Sequence, residues 1–342
     1  MSNLERDPVE LLCAADGTGG PVVQVLAPRE VPLGGPRAMN VRRTLPQRGR
    51  TTIGAWCFAD HYGPDDVQLG VGMVVPPHPH TGLQTVSWLF EGEIEHRDSA
   101  GSHAMVRPGA VNLMTAGRGI SHSEASTPAT TRLHGVQLWV ALPDASRHVG
   151  PFFEHADITP VLVDDATVRV FVGSLAGSVA PESSVTVFSP LLGAQIDLPP
   201  FGTVELELEP AFEHGVLVDS GPVEISATDA ADGDALGNEA STTAAWSELA
   251  FLEAGRRRIR LSAEAQPVRV ILLGGVPFGE ELVMWWNFIG RTHDEIVEFR
   301  RQWQADVIAR DNPDGRFGTV AGYDGSPLPA PELPTVRLKP RR

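Results

Sequence analysis

Two pairs of side chains in this chain could hold a metal ion, His78 with His80 and His122 with Glu124. Each pair is spaced i, i+2, so on a β-strand both members point to one face. Two neighbouring strands carrying these pairs would aim four ligands into one space. Three imidazoles and a carboxylate suit a borderline first-row ion such as iron, nickel, manganese or cobalt. On an octahedral ion four ligands leave two positions for water, substrate or dioxygen. That arrangement points to binding and activation rather than to a purely structural site.

The elements that must position these residues read as short strands. Apolar runs recur at 22–26, 52–58, 69–75, 85–90, 110–115 and 134–142, separated by turn signals such as Pro108-Gly109 and Gly117-Arg118-Gly119. With 35 Gly and 29 Pro spread over 342 residues, this is the rhythm of an antiparallel barrel or sandwich. Residues 143–160 break the pattern and read as a linker. A second strand-rich series then repeats the rhythm, as an internal duplication would. The expected organisation is a loose N-terminus over 1–20, a metal-binding barrel over 21–150, a second barrel without metal over 151–310 and an extended tail over 311–342. A small-residue, Asp-rich stretch between Thr228 and Ala245 reads as an exposed loop. One helix is signalled, from about 293 to 309. Thr292 and Glu295 have the form of a capping box, and Ile296, Phe299, Trp303 and Val307 recur at helical spacing. Trp285, Trp286 and Phe288 before it read as core.

Composition limits the function classes. The formal charge is 27 − 43 = −16, an acidic balance that repels phosphates, so no direct nucleic-acid partner is expected. The basic run Arg256, Arg257, Arg258 and Arg260 reads as a solvated strand. Only two cysteines occur, Cys13 and Cys57, which read as reduced thiols. The first residues lack the pattern of a signal peptide, and no apolar run is long enough to span a bilayer. A cytoplasmic protein without a membrane partner is the expectation, with a monomer as the default.

The spacing Gly72, five residues, His78-x-His80, three residues, Gln84 resembles the first cupin motif, and Gly119-x-x-His122 resembles the end of the second. Within cupins the chain resembles the pirin family. HPHTGLQTVSWLFEGEIEHRDS, MTAGRGISHSE, FADHYGP (58–64) and PFGEELVMWWNFIGRTHDEI (277–296) look like pirin segments, and the likeness covers about 40–310. The resemblance implies an all-β bicupin, two tandem β-barrels with a C-terminal helix packed on them. It implies one metal, usually iron (Fe2+, with Ni, Mn, Co or Zn as alternatives), held by His78, His80, His122 and Glu124. Many cupins take their carboxylate from the first motif, where this chain has the amide Gln84. Glu124 then supplies the carboxylate, and Gln84 is expected behind the ligands or in the barrel mouth.

The activity the resemblance implies is oxidation of a flavonol such as quercetin by dioxygen, with Glu124 as candidate general base. The alternative it implies is an iron-dependent regulator that binds a transcription factor or a metabolic enzyme. Gln137, Met114 and Phe90 are candidate pocket residues. His96 is a further candidate, although a hydrogen-bonded surface position is expected for it and for His103. Asp60 and His61 are expected to support the barrel, and His214 stands alone in the second half.

Overall fold

The computed structural model describes residues 23–32, 39–47, 49–67, 72–229 and 241–341. The segment 1–20, Cys13 and most of the Asp-rich stretch lie outside the described residues. The first half forms β1 (Gln24–Leu26), β2 (Arg29–Pro32), β3 (Asn40–Leu45), β4 (Trp56–Asp66), β5 (Val74–His80), β6 (Leu83–Glu91), β7 (Ile94–Asp98), β8 (His103–Val106), β9 (Ala110–Thr115), β10 (Ile120–Ser126), β11 (Arg132–Ala141) and β12 (Phe152–Asp157). The second half forms β13 (Val161–Val163), β14 (Ala166–Gly173), β15 (Leu191–Leu198), β16 (Thr203–Glu207), β17 (Glu213–Ser220), β18 (Val223–Asp229), β19 (Thr242–Ala244), β20 (Leu249–Leu252), β21 (Arg256–Ala263), β22 (Val268–Gly275), β23 (Val283–Trp285), β24 (Phe288–Gly290) and α1 (His293–Gln302).

The strands make two barrels of one design. In the first, a seven-stranded sheet β12-β9-β6-β11-β4-β3-β2 faces a four-stranded sheet β5-β10-β7-β8. In the second, β1-β20-β17-β22-β15-β14-β13 faces β16-β21-β18-β19. The two orders correspond strand for strand, with β5 matching β16 and β10 matching β21. This is an all-β bicupin fold with the expected internal repeat.

The repeat also exchanges its edges. β1 pairs with β20, setting Gln24 opposite Phe251, so the first apolar run belongs to the second barrel's sheet and not to the first barrel. β12 pairs with β9, setting Phe152 opposite Thr115, so the stretch expected as a linker is a strand of the first barrel. The strand that precedes each barrel in sequence thus docks on the other barrel, β1 on the second and β12, which leads into the second series, on the first. An open edge of each sheet gains a partner that covers its free N–H and C=O groups.

Period-two alternation sorts side chains between the barrel interiors and the seam. Along β6, Val86 and Trp88 join Trp56, Phe171, Leu217 and Phe251 in the apolar layer between the barrels, while Leu89 packs inside the first barrel with Tyr62 and Val75. Burying each such large side chain stabilises the fold by about 1.5–3 kcal/mol. Polar contacts fix the seam. Trp88 Nε1 donates to Gln195 Oε1 at 2.7 Å, and Trp56 Nε1 donates to the Leu192 carbonyl at 3.1 Å.

At the C-terminal end, β23 and β24 form a hairpin that leads into α1. The capping box is present, with Glu295 N donating to Thr292 Oγ1 at 3.2 Å and Thr292 N donating to Glu295 Oε2 at 3.3 Å. The helix differs from expectation after Gln302, where Trp303–Ile308 widens into a π-helical segment. Residues four apart drift about 40° per step round an ordinary α-helix, and a wider turn cancels that drift. Phe299, Trp303 and Val307 all stay buried as a result. The tail is an extended arm packed on the first barrel, with Leu328 N donating to the Pro77 carbonyl at 2.8 Å. No helix among the described residues is long and apolar enough to cross a membrane.

Candidate metal centre

β5 and β10 lie side by side and antiparallel, setting His122 directly opposite His78 and Ile120 opposite His80. The register shifts by one residue between His122 and Glu124, which realigns the carboxylate relative to the imidazoles. β7 flanks β10 on its other side, placing His96 opposite Glu124 and Asp98 opposite His122. His78, His80, His122 and Glu124 are all essentially removed from solvent.

The imidazoles present their Nε2 atoms to one point. His78 Nδ1 donates to the Pro76 carbonyl at 2.9 Å, and His80 Nδ1 donates to the Asn287 carbonyl at 3.2 Å. These bonds put both protons on Nδ1 and leave both Nε2 lone pairs free. His80 Nε2 lies 3.1 Å from His122 Nε2, and buried His78 Nε2 has no hydrogen-bond partner. An ion with metal–nitrogen bonds of about 2.1 Å holds adjacent ligands about 3 Å apart, so the separation fits. Burial pushes His78 down to about 3 and holds His80 and His122 well below the usual histidine range. All three are neutral at physiological pH, the form that ligates.

Donor atoms of His78, His80 and His122 lie within 4.8 Å of one another, and so do those of a second trio, His96, His122 and Glu124. His122 is the hinge of both. Its Nδ1 stands 3.4 Å from His96 Nδ1, and His96 Nε2 donates to Asp98 Oδ2 at 3.2 Å. The proton order His122 to His96 to Asp98 fixes the His122 tautomer with its Nε2 toward the other imidazoles. Asp98 is itself anchored, its Oδ1 accepting from the backbone of Ala100 at 2.9 Å and of Ser102 at 3.0 Å. Burial alone would raise this carboxyl, but His96 and Ser102 hold it below its ordinary range. His96 is therefore a buried part of the centre, contrary to the surface position expected, because β7 is drawn inward beside β10. His103 does lie exposed, bonded to Glu95 at 2.7 Å.

The interior wall opposite comes from β4, β6 and β11. Ser87 Oγ stands 3.4 Å from Glu124 Oε1 and donates to Gln137 Oε1 at 2.9 Å, so Gln137 does face the centre. Gln137 Nε2 and the Tyr62 hydroxyl are buried without hydrogen-bond partners. Burial, reinforced by the Glu124 charge, pushes the Tyr62 phenol well above its usual range, so it remains an O–H donor. Met114 sits in the row Trp139–Thr85–Met114, and Trp139 meets the His80 ring edge-on at 5.1 Å. Beneath, Arg43 and Asp60 form a buried two-pronged ion pair at 2.6 and 2.8 Å.

Two candidates lie elsewhere. Gln84 follows the turn at Thr81-Gly82 and occupies β6, where even-numbered residues face the seam. Its Nε2 donates to Thr115 Oγ1 and to the Thr186 carbonyl, both at 2.9 Å. Phe90 shares that parity and meets His61 and His134 between the barrels. Ser87, Tyr62, Asp98 and Asn287 were missed. Ser87 had a usable signal, since it alternates with the apolar residues of TVSWLF.

The strands matching β5 and β10 in the second barrel differ in kind. β16 and β21 turn Val204, Leu206, Ile259 and Leu261 into an apolar interior. His214 of β17 is buried there with neither ring nitrogen hydrogen-bonded.

Comparison with known proteins agrees with this architecture. Residues 38–140 match the family described as Pirin, and residues 193–308 match the Pirin C-terminal cupin domain. A Pseudomonas aeruginosa protein named "Putative quercetin 2,3-dioxygenase" is 40% identical over 92% of this chain and 91% of its own length. A pirin-like protein of Caulobacter vibrioides is 35% identical over 78% of this chain and 88% of its own. The crystal structure of a quercetin 2,3-dioxygenase from Acinetobacter baumannii superposes with a TM-score of 0.80 at 36% identity, over 93% of this chain and 98% of that one. Two cupin barrels of matching strand order, with metal-capable residues converging in the first, together with these matches, place this chain in the pirin family.

Proposed function

We propose that this chain is a metal-dependent dioxygenase acting on a flavonol such as quercetin, with His78, His80, His122 and Glu124 holding one divalent iron ion. The observation that carries the reading is the convergence of three neutral imidazoles beside Glu124, with His80 Nε2 and His122 Nε2 3.1 Å apart and His78 Nε2 unpartnered. The names of the Pseudomonas and Acinetobacter relatives point to the same substrate class. When bound, the metal supplies a Lewis acid for the flavonol oxygens and a redox centre for dioxygen.

The chain's own residues do the rest. Glu124 takes the proton of the flavonol hydroxyl at a carboxylate oxygen, leaving the substrate as an anion. Ser87, whose proton goes to Gln137, fixes that amide beside Glu124. The unpaired donors of Tyr62 and Gln137 offer hydrogen bonds to substrate oxygens, and Trp139 meets the His80 ring edge-on, an apolar neighbour for that ligand.

Glu124→Gln separates the two duties of the carboxylate. The expected result is a loss of turnover on the order of 100-fold or more, typical of a missing general base. Metal content, measured by elemental analysis, should fall far less. Equal losses of metal and turnover would contradict the role of Glu124 as base.

A further inference from the structure

A second convergence of donors lies at the seam between the barrels, away from the first centre. His61 of β4 and His134 of β11 come from the first barrel, and Asp219 of β17 comes from the second. Asp219 Oδ1 stands 2.7 Å from His61 Nε2 and 2.6 Å from His134 Nε2, and the two nitrogens are 3.3 Å apart. All three residues are buried. We propose that these three atoms form a second metal site, specific for a divalent first-row transition ion such as zinc, which joins the two barrels.

The outer contacts favour an ion in the middle. Arg269 engages the other oxygen of Asp219, Oδ2, at 3.4 Å and is itself tied to Asp197 at 2.8 Å, so Oδ1 remains directed at the imidazoles. Ser247 Oγ lies 2.9 Å from His61 Nδ1. A serine hydroxyl both donates and accepts. Without metal, His61 keeps its proton on Nε2 for Asp219 and accepts from Ser247 at Nδ1. With metal, the proton sits on Nδ1, where Ser247 accepts it, and Nε2 ligates. His61 thus changes tautomer without changing charge, and His134, which also gives its Nε2 proton to Asp219 in the metal-free state, must likewise carry its proton on Nδ1 for its Nε2 to ligate. Burial holds His61 below its usual range, and the hydrogen bonds from both imidazoles outweigh burial to hold Asp219 at about 2.

The spacing and surroundings agree with such an ion. An ion with bonds of about 2.1 Å spans ligand pairs about 3.0–3.4 Å apart, so the two contacts to Asp219 need open by only a few tenths of an ångström. Two nitrogens and one carboxylate oxygen are a donor set that zinc, nickel and cobalt accept. The His61 ring is walled by Phe90 and Trp246, with centroids at 6.4 and 6.1 Å. Phe90 and Arg269, which touch the cluster, also line a cleft of about 430 Å³ together with Gln195 and Asp197.

The test is zinc stoichiometry of the metal-free full chain. Wild-type protein should take up two ions per chain, and both His134→Gln and Asp219→Asn should take up one. The chain carrying His78→Ala with His122→Ala should keep one ion, and its zinc X-ray absorption should report two imidazoles and a carboxylate. Two ions retained in the folded His134→Gln variant, or a single wild-type ion that is lost in the folded His78→Ala, His122→Ala chain, would overturn the proposal and leave the cluster a hydrogen-bonded clamp. If the seam variants do not fold, the doubly substituted first-site chain decides alone, since zero zinc in it also overturns the site. Flavonol turnover enters none of these readings.

Discussion

At the scale of single residues, the centre depends on proton placement as much as on ligand identity. Each imidazole is useful only while its Nε2 is unprotonated, and a carbonyl or a second histidine holds each in that state. Asp98 stands at the far end of the His122–His96 relay. Asp98→Asn keeps an oxygen for the Ala100 and Ser102 amides while removing the charge behind His96. Metal affinity, measured by competition with a chelator, should fall roughly 10–100-fold with the fold intact. Unchanged affinity would mean the relay does not tune His122. The four ligand candidates were legible in the sequence because both pairs carry strand spacing. His96 was not, because nothing in IEHRD reveals that β7 lies against β10. Gln84 misled for the opposite reason. Its distance from His80 counts as one strand only if the turn at Thr81-Gly82 is ignored.

At the scale of elements, alternation predicted most strands and failed where pairing is non-local. VVQVL reads as a strand and the stretch around Phe152 as a linker, and only the open edges of the barrels decide that both dock as strands, and where. The helix start was readable from Thr292 and Glu295, while the widened turn after Gln302 arises from burying Trp303 against the arm, where its Nε1 meets the Leu328 carbonyl at 2.8 Å. Thr292→Ala removes the cap acceptor and should cost about 1 kcal/mol in urea unfolding. A cost near zero would mean that the packed aromatic face alone holds the helix end. The signature around Asn287 has a clear purpose at this scale. The β23–β24 hairpin delivers a backbone carbonyl to His80, so a C-terminal segment orients an N-terminal ligand.

For the whole molecule, duplication has produced two barrels with opposite interiors. The first is lined with buried polar groups and the second with aliphatic side chains, His214 excepted. Burial lowers His214 to about 4. Its ordinary value is about 6.5, so the stability it contributes is fully present above pH 6.5 and is lost as pH falls toward 4. The loss for this one residue is about 3 kcal/mol. His214→Leu should therefore flatten the fall in stability between pH 6.5 and 4, measured by urea unfolding at several pH values. The same slope in the variant and in the wild type would assign acid sensitivity elsewhere. Strand rhythm told the fold class from sequence, but the seam with its crossed edges and inter-barrel histidines depends on non-local contacts, such as His134 with Asp219 and His61 with Asp219, that no sequence window contains.

The most direct test of the central claim is oxygen uptake on adding quercetin to iron-reconstituted protein, with metal-free protein alongside. The account predicts uptake that requires the metal, accompanied by loss of the flavonol absorbance. Fully loaded protein that consumes no oxygen and leaves the flavonol unchanged would contradict it.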